Sequence, residues 1–224
     1  MEQRIRLVVP KEKYNIAKDM NYKAVLETIL TGEQLDIVEK YIDLIMLYNQ
    51  RFNLVSRRSV IDDLYRYVLD SLGLVEFLST INNAEIVDIG SGAGFPGVPL
   101  SILGYQCNLV EINTKKADFL NEIVDKLNIS AKVYHRDAKF LKYYDFSNSN
   151  LVVVAKAVSS CKNIIDMCNG LISQNTTFLL LKGPSYPPEI DDLQLKWSFK
   201  LQQYQNRYTP GSLIIELKNL NKIK

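Results

Sequence analysis

The sequence predicts an α/β fold in which a mostly parallel, Rossmann-like sheet follows an N-terminal helical extension. Three observations lead to this fold class. Residues up to about 80 carry only helical periodicity, later residues alternate short aliphatic runs with helical stretches, and a glycine-rich turn directly follows the first of those runs. We expect residues 1–80 to form the extension and residues 81–224 the Rossmann-like part of one compact unit.

The extension is predicted from the helical spacing of its apolar residues. Thr31 and Gln34 have the spacing of a capping box, and apolar residues recur every three or four positions after them. A weaker helical pattern precedes this helix, and another runs from about Ser59 to Leu78. The break at Asn82 and Asn83 marks the end of the extension.

The sheet is predicted from six short runs of aliphatic or β-branched residues. Because helical stretches separate them, the pattern is typical of parallel strands joined by crossover helices. The segment PSYPPEI, residues 184–190, is expected to be a proline-rich loop over the sheet edge. The candidate strands are AEIVDI (84–89), CNLVEI (107–112), AKVYH (131–135), NLVVVA (150–155), TFLLLK (177–182) and SLIIELK (212–218).

Composition excludes several classes of protein. A net charge of +2 over 224 residues is too small to indicate nucleic-acid binding, so any RNA surface must be local. A single histidine disfavours histidine-rich metal sites and Ser/His/Asp hydrolases, and we expect no metal. No apolar stretch is long enough to span a membrane, so we expect no association with a membrane. Three cysteines without a CxxC pair are typical of a reducing compartment, which indicates the cytoplasm.

A glycine-rich turn, VDIGSGAGFPG at residues 87–97, is the main candidate for a ligand site. Gly90, Gly92 and Gly94 let the backbone turn sharply and approach a ligand without interference from Cβ atoms. The N–H groups of such a turn, with the positive end of the following helix, are suited to hold a carboxylate or a phosphate. The turn therefore predicts a ligand with an anionic group.

The residues around this turn favour an adenosyl ligand over a dinucleotide. Phe95 stands where the GxGxxG motif requires its third glycine, and Asp88 would repel a pyrophosphate while attracting a sulfonium or ammonium group. Glu111 ends the second strand, where a carboxylate accepts hydrogen bonds from both ribose hydroxyls. The backbone N–H groups of Ala138 and Lys139 are placed to bind the adenine edge. A plain turn with a solvated Asp88, and a plain surface loop at Ala138, stay open as alternatives.

Five segments together resemble the bacterial small-subunit rRNA guanine-N7 methyltransferase family, also called glucose-inhibited division protein B. The resemblance covers nearly the whole chain in order. Its most specific part is the string GSGAGFPGVPL, because prolines at these places are unusual among methyltransferases. The five segments are YNQRFNLVS (48–56), RYVLDS (66–71), VDIGSGAGFPGVPL (87–100), KKADFL (115–120) and LLKG (180–183).

The resemblance implies a class I S-adenosylmethionine-dependent methyltransferase fold. It implies S-adenosylmethionine as the methyl donor, and a guanine in the 530-loop region of small-subunit rRNA, free or in a 30S assembly particle, as the acceptor. We expect a monomer. The cofactor contacts that it implies are Gly90, Phe95, Ala138, Lys139 and Lys156.

Three places depart from the family pattern. Lys156 stands where arginine is usual, Tyr67 stands where histidine is usual, and Gly211 with Ser212 replaces a basic pair. Because lysine keeps the charge of arginine but lacks its planar fork, recognition at Lys156 is expected to be weaker or differently aimed.

The sequence around the fourth strand favours a ring nitrogen as the methyl acceptor. Guanine N7 already presents a lone pair, so no base has to remove a proton before transfer. An exocyclic-amine methyltransferase would carry Asn or Asp before Pro-Pro-aromatic, where this chain reads AKAV at residues 155–158. A carbon methyltransferase needs a nucleophilic cysteine, and neither Cys107 nor Cys161 has a suitable setting.

The expected catalytic residues are Lys156 and Lys182, which we predict to flank the methyl donor and hold RNA phosphates or the target base. A simple ion pair between Arg66 and Asp70 on one helix is the alternative to an RNA contact at Arg66. The predicted RNA-binding residues are Arg57, Arg66 and Lys182, with Arg51 and Arg58 as further basic candidates and Tyr65 and Tyr67 as candidates for stacking on a base.

Other functions remain open at this stage. The main alternative is a catalytically impaired ribosome- or RNA-binding protein that retains the methyltransferase fold. A nicotinamide oxidoreductase is disfavoured by Asp88 and Phe95. A small-molecule methyltransferase would show no salt-dependent affinity for RNA.

Overall fold

The computed structural model describes residues 20–56, 61–146 and 150–223, and within these ranges a seven-stranded sheet is flanked by helices on both faces. The helices are α1 (Tyr22–Ile29), α2 (Gly32–Asn49), α3 (Ile61–Leu72), α4 (Val75–Leu78), α5 (Gly97–Ile102), α6 (Thr114–Leu127), α7 (Cys161–Met167) and α8 (Pro187–Gln194). The strands are β1 (Ala84–Ile89), β2 (Cys107–Glu111), β3 (Ala131–His135), β4 (Asn150–Lys156), β5 (Thr176–Lys182), β6 (Trp197–Gln205) and β7 (Leu213–Lys222).

The strand order is β3-β2-β1-β4-β5-β7-β6. The first five strands of this order run parallel, whereas β7 pairs antiparallel with both β5 and β6. The order reverses at β1, between β2 and β4. In open parallel sheets, ligands bind outside the carboxyl ends of the strands at such a reversal. The topology therefore places a candidate site where β1 and β4 end.

One apolar core joins the N-terminal helices to the sheet. Leu26, Tyr41 and Leu64, from α1, α2 and α3, are buried in the same cluster as Ile86 of β1 and Leu109 of β2. On the other face, a second cluster packs α7 and α8 against the alternate residues of the strands. The division of the chain at residue 80 stays a prediction, and the core is continuous across that point.

The structure confirms all six predicted strands, each beginning within one residue of its predicted start. It adds β6, which the sequence did not predict. This strand lies at the sheet edge and most of its residues are exposed or half-buried, so the sequence WSFKLQQYQ lacks an aliphatic run. Trp197, Phe199 and Leu201 alternate with polar residues, which is a strand pattern that aliphatic runs alone do not reveal.

Two predictions about connections need correction. The segment 184–190 is not wholly a loop, because α8 begins at Pro187 within it. Prolines fit the first turn of a helix, where backbone N–H groups have no intrahelical partner. The helix predicted from about Ser59 to Leu78 is divided into α3 and α4 at Gly73, where a Cβ atom would lie 2.4 Å from Oδ1 of Asn206; residues 59 and 60 lie outside the described ranges.

The capping box predicted at α2 is confirmed. The Thr31 hydroxyl accepts a hydrogen bond from the Gln34 backbone N–H, and the Gln34 side chain accepts one from the Thr31 N–H. The break predicted at Asn82 and Asn83 is also present, since β1 begins at the next residue and Asn83 has a φ of +50°. Among the helices of the described residues, none has the length and apolar character that crossing a membrane requires.

Gly97→Ala should destabilise the fold. An added Cβ atom would lie 2.3 Å from Cδ2 of Leu109 and 2.8 Å from Oδ2 of Asp88, so α5 would have to shift away from the sheet. We expect the free energy of unfolding in urea to fall by about 1–3 kcal/mol. Gly32→Ala is the control, because nothing lies within 4 Å of its added Cβ atom. Equal stabilities of the two variants would contradict the close approach.

Candidate active site

The glycine-rich turn connects β1 to α5 at the carboxyl end of the parallel strands. Gly90 has a φ of +65°, and a Cβ atom there would lie 2.9 Å from Cγ2 of Val158. The left-handed backbone and the close packing both require glycine at this place. The turn therefore lies directly against the loop that follows β4.

The N-terminal extension supports the turn from beneath. The Tyr41 hydroxyl, on α2, donates a hydrogen bond of 2.7 Å to the Ala93 carbonyl oxygen, and the whole Tyr41 side chain is buried. The Tyr41 and Phe95 rings lie 5.4 Å apart. Helical spacing placed Tyr41 on the buried face of its helix, but gave no signal for this hydrogen bond. The extension thus helps to fix the backbone of the ligand site.

Glu111 ends β2 next to the turn, as predicted, and its carboxylate is almost fully buried. One oxygen accepts a hydrogen bond of 2.9 Å from the Gly92 N–H, and the other accepts one of 2.8 Å from the Asn113 N–H. A carboxylate has about four lone-pair positions. Each oxygen therefore keeps capacity for one more donor, which suits the two hydroxyls of a ribose.

Asp88 is buried beneath the turn, so the alternative of a solvated aspartate is wrong. Its Oδ2 accepts a hydrogen bond of 3.0 Å from the Gly97 N–H, at the start of α5. Among the described residues, no group hydrogen-bonds to its Oδ1. Burial raises the pKa of Asp88 from 3.8 to about 7, the Gly97 N–H opposes that rise, and the nearby Glu111 adds to it.

The loop after β3 holds the two residues predicted to bind an adenine edge. Ala138 is buried and begins a short 3₁₀ turn that ends at Phe140. The Lys139 N–H already donates a hydrogen bond of 3.0 Å to the Asp137 carboxylate, which also pairs with the Lys139 ammonium at 2.9 Å. The Lys139 side chain is therefore held by Asp137 on the protein surface.

A cavity of about 650 Å³ lies beside the turn, at the carboxyl ends of β4 and β5. Its lining comes from α1, the second half of α3, the loop after β4, the end of β5 with the loop after it, α8, and the loop between β6 and β7. Val158 lines this cavity and also packs against Gly90, so the cavity adjoins the glycine-rich turn. The predicted residues that it brings together are Arg66, Tyr67, Lys156, Lys182, Gly211 and Ser212.

The Lys156 ammonium lies on the cavity wall between a carboxylate and an aromatic ring. It is 3.1 Å from Oδ2 of Asp70 and 3.4 Å from the centre of the Tyr67 ring. Burial lowers the pKa of Lys156 from 10.5 to about 8, although the negative charge of Asp70 opposes this shift. Two of the three positions that depart from the family pattern, Lys156 and Tyr67, are therefore in direct contact.

The alternative of an ion pair between Arg66 and Asp70 is wrong. Arg66 pairs with Asp63, one turn earlier on α3, at 3.2 Å. Asp70 points inward instead, where its Oδ1 accepts a hydrogen bond of 2.5 Å from the Thr209 hydroxyl. Helical spacing showed that Asp70 could reach Arg66, but it carried no information about Thr209 or Lys156 across the fold.

Lys182 lines the same cavity, but its ammonium is already engaged. It donates hydrogen bonds of 2.6 Å to the Ser159 carbonyl oxygen and 2.7 Å to the Glu189 carboxylate, and its side chain is 9% exposed. The same Glu189 oxygen also accepts the Cys161 N–H. Lys182 thereby joins the loop after β4 to α8.

Two further RNA candidates, Arg51 and Tyr65, do not line the cavity. Arg51 lies over the Tyr48 ring and is not part of the cavity lining. Tyr65 is buried, so the prediction that it is available for stacking is wrong. Arg57 and Arg58 lie outside the described residues.

Comparison with known proteins identifies the family. The family model GidB, described as rRNA small subunit methyltransferase G, matches residues 34–211. The chain belongs to this family. Membership confirms the family, the methyltransferase activity and the S-adenosylmethionine cofactor that the sequence predicted.

Curated relatives agree with this family over most of their length. The chain is 35% identical over 194 residues to the ribosomal RNA small subunit methyltransferase G of Rickettsia bellii strain OSU 85-389, covering 84% of this chain and 96% of the relative. It is 27% identical over 209 residues to the protein of the same name from Bartonella tribocorum, covering 90% of this chain and 96% of the relative.

Solved structures agree on the fold of this GidB chain. A mutant of MtNAS in complex with S-adenosylmethionine superposes with a TM-score of 0.55 at 16% identity, covering 91% of this chain and 87% of that one. Magnesium protoporphyrin IX methyltransferase from Synechocystis PCC 6803, with bound S-adenosylmethionine, gives a TM-score of 0.52 at 14% identity, covering 85% and 99%. The predicted class I methyltransferase fold is confirmed.

Asp88→Asn should remove a pH dependence of stability. Because folding raises the pKa of this carboxyl group, its contribution to stability is fully present at acid pH and is lost as pH rises through about 7. Asparagine stays neutral, so we expect the variant to gain stability relative to the wild type between pH 5 and pH 8. Urea unfolding at several pH values measures this. Exposed Asp191→Asn is the control, and a similar pH profile for both variants would refute the assignment.

Proposed function

We propose that this chain transfers the methyl group of S-adenosylmethionine to N7 of a guanine in small-subunit rRNA. One observation carries the proposal. Val158 packs against Gly90 of the glycine-rich turn and also lines the cavity, so a donor held by the turn and a base held in the cavity would be neighbours. Family membership supports the same reaction.

The cofactor would be held by the turn and by the two strands on either side of β1. Gly90 and Gly92 let the backbone approach its amino-acid end, and Glu111 accepts the ribose hydroxyls. Above pH 7, where Asp88 is ionised, its buried carboxylate favours a ligand with positive groups over a pyrophosphate, and no group of the described residues hydrogen-bonds to its Oδ1. The remaining contacts are proposed at Phe95, the Ala138 N–H and Lys156, and at Lys139 only if its N–H is released from Asp137.

Bound S-adenosylmethionine supplies an electrophilic methyl group on a sulfonium. The chain's own residues would hold the base, exclude water and orient N7 towards the turn, because N7 needs no deprotonation. Guanine presents two acceptors, N7 and O6, on one edge. The Lys156 ammonium is suited to donate to O6, whereas the amino group of adenine at that position would meet it donor to donor.

The cavity also suits the charge that the reaction moves. A guanine methylated at N7 carries a positive charge that the unmodified base does not. The Tyr67 ring and the Asp70 carboxylate already accommodate one cation, the Lys156 ammonium. Because Asp70 neutralises the Lys156 ammonium, the pair repels a base that becomes positive less than an unpaired ammonium would.

A second candidate function is a catalytically impaired RNA-binding protein. It is favoured by the cavity cations, because Lys156 and Lys182 are each paired with a carboxylate. Calorimetry with S-adenosylmethionine separates the two functions, since loss of cofactor binding would favour the impaired protein.

We further propose that the substrate is free rRNA or a 30S assembly particle, and that the protein works as a cytoplasmic monomer.

Deleting the gene should remove one N7-methylguanine from small-subunit rRNA. A plasmid with the wild-type gene should restore it, whereas Glu111→Gln should restore little, because an amide NH₂ would face the N–H of Gly92 or Asn113. Glu76→Gln, an exposed carboxylate on α4, is the control and should restore it fully. Chemical mapping of N7-methylguanine reads the result. An unchanged methylation map after deletion would overturn the proposed function.

Methyl transfer should decline as pH rises above about 8. Above that pH the Lys156 ammonium loses its proton, and with it the charge that binds guanine O6. Lys156→Arg should keep activity to higher pH, because a guanidinium stays protonated, and Lys156→Ala should lose activity at every pH. Initial rates at saturating cofactor between pH 6.5 and 9.5 test this. A wild-type decline that Lys156→Arg shares would assign the titration to another group.

A further inference from the structure

The loop between β6 and β7, residues 206–212, closes one side of the cavity. Four of its residues, from Thr209 to Ser212, line the cavity wall. Backbone hydrogen bonds connect Asn206 N–H to the Ser212 oxygen and Ser212 N–H to the Thr209 oxygen, so the loop is a tight turn. We refer to residues 206–212 as the rim loop.

Two buried side chains fasten the rim loop to α3. The Asn206 amide donates a hydrogen bond of 2.9 Å to the Asp70 carbonyl oxygen, and the Thr209 hydroxyl donates one of 2.5 Å to the Asp70 carboxylate. Asn206 fits because Gly73 has no Cβ atom, and its oxygen also accepts the Tyr208 N–H at 3.1 Å. Both anchors are almost fully buried. The residues between them are therefore held in place.

Arg207 and Tyr208 lie between these two anchors. The Arg207 side chain is exposed, and its guanidinium lies 5.9 Å from the centre of the Tyr208 ring. Within residues 20–56, 61–146 and 150–223, Arg207 makes no ion pair. By contrast, the three cations of the cavity lining, Arg66, Lys156 and Lys182, each pair with a carboxylate. The unneutralised charge of this region thus lies on the rim.

We propose that Arg207, with Tyr208 behind it, binds an RNA backbone phosphate next to the guanine that occupies the cavity. The inference rests on the proposed function, because a base that enters the cavity brings its own flanking phosphates to the mouth. A guanidinium presents a planar fork of donors that matches a phosphate. Contact with the Tyr208 ring restricts the motion of that fork, so less entropy is lost on binding.

Arg207→Gln tests the inference, with Lys200→Gln as its matched control. Lys200 is exposed on β6, seven residues earlier and roughly 20 Å away along an extended strand. Both variants remove one positive charge, but the control removes it away from the cavity mouth. We would measure the dissociation constant for a small-subunit RNA fragment at several salt concentrations, together with kcat, KM and cofactor affinity by calorimetry.

We expect Arg207→Gln to weaken RNA binding by about three- to tenfold and to reduce the slope of log affinity against log salt by about 0.7. KM for RNA should rise in step, whereas kcat and cofactor affinity should stay unchanged. Arg207→Lys should keep the slope, because it keeps the charge. Lys200→Gln should match the wild type in slope.

The outcomes separate this inference from the proposed function. Equal slopes for Arg207→Gln and Lys200→Gln would overturn the inference, even if the wild type methylates RNA. Absence of methyl transfer by a wild type that still binds RNA would overturn the proposed function, while the slopes would still decide the role of Arg207. A wild type that does not bind RNA would overturn both.

Discussion

The close approach of the turn after β1 to its neighbours is the constraint on which the rest of the site depends. Cβ atoms at Gly90, Gly94 and Gly97 would lie within 3 Å of Val158, Val98 and Leu109, respectively. The turn is therefore packed on the sheet, on α5 and on the loop after β4 at once. Under the proposed function, a ligand above it would meet backbone N–H groups rather than side chains, and we expect this backbone to change little on binding, because every neighbour limits its movement.

The same constraint gives the helical extension a part in the site. Tyr41 reaches the Ala93 carbonyl oxygen because no Cβ atom at Gly94 blocks it; such an atom would lie 2.8 Å from the Tyr41 hydroxyl. On α3, Tyr67 and Asp70 supply the ring and the carboxylate that hold Lys156. The extension is thus part of the cavity and of the support for the turn, in addition to covering one face of the sheet.

The sequence predicted local features well and contacts across the fold poorly. A buried parallel strand is recognisable as an aliphatic run, and a tight turn is recognisable from its glycines. The predicted positions of β1, its turn and Glu111 therefore agree with the structure. Because spacing within one helix carries no information about partners elsewhere in the fold, helical spacing indicated Arg66 as a partner for Asp70. Its actual partners, Lys156 and Thr209, are separated from it by 86 and 139 residues. No periodicity links such positions, and β6 escaped because an exposed edge strand needs no aliphatic face.

Charge is distributed differently inside the cavity and at its mouth. The ammonium of Lys156 and the carboxylate of Asp70 are both largely removed from water, so either one alone would carry a large desolvation cost. The attraction between the two charges offsets part of that cost. A neutralised cavity interior attracts phosphates only weakly. Hydrogen-bond donors and aromatic ring faces then have to distinguish one base from another. Affinity for a polyanion then has to come from cations outside the cavity, at the surface where the RNA phosphates would lie. Under the proposed function, the base is then recognised inside the cavity, and cations at its mouth bind the backbone phosphates.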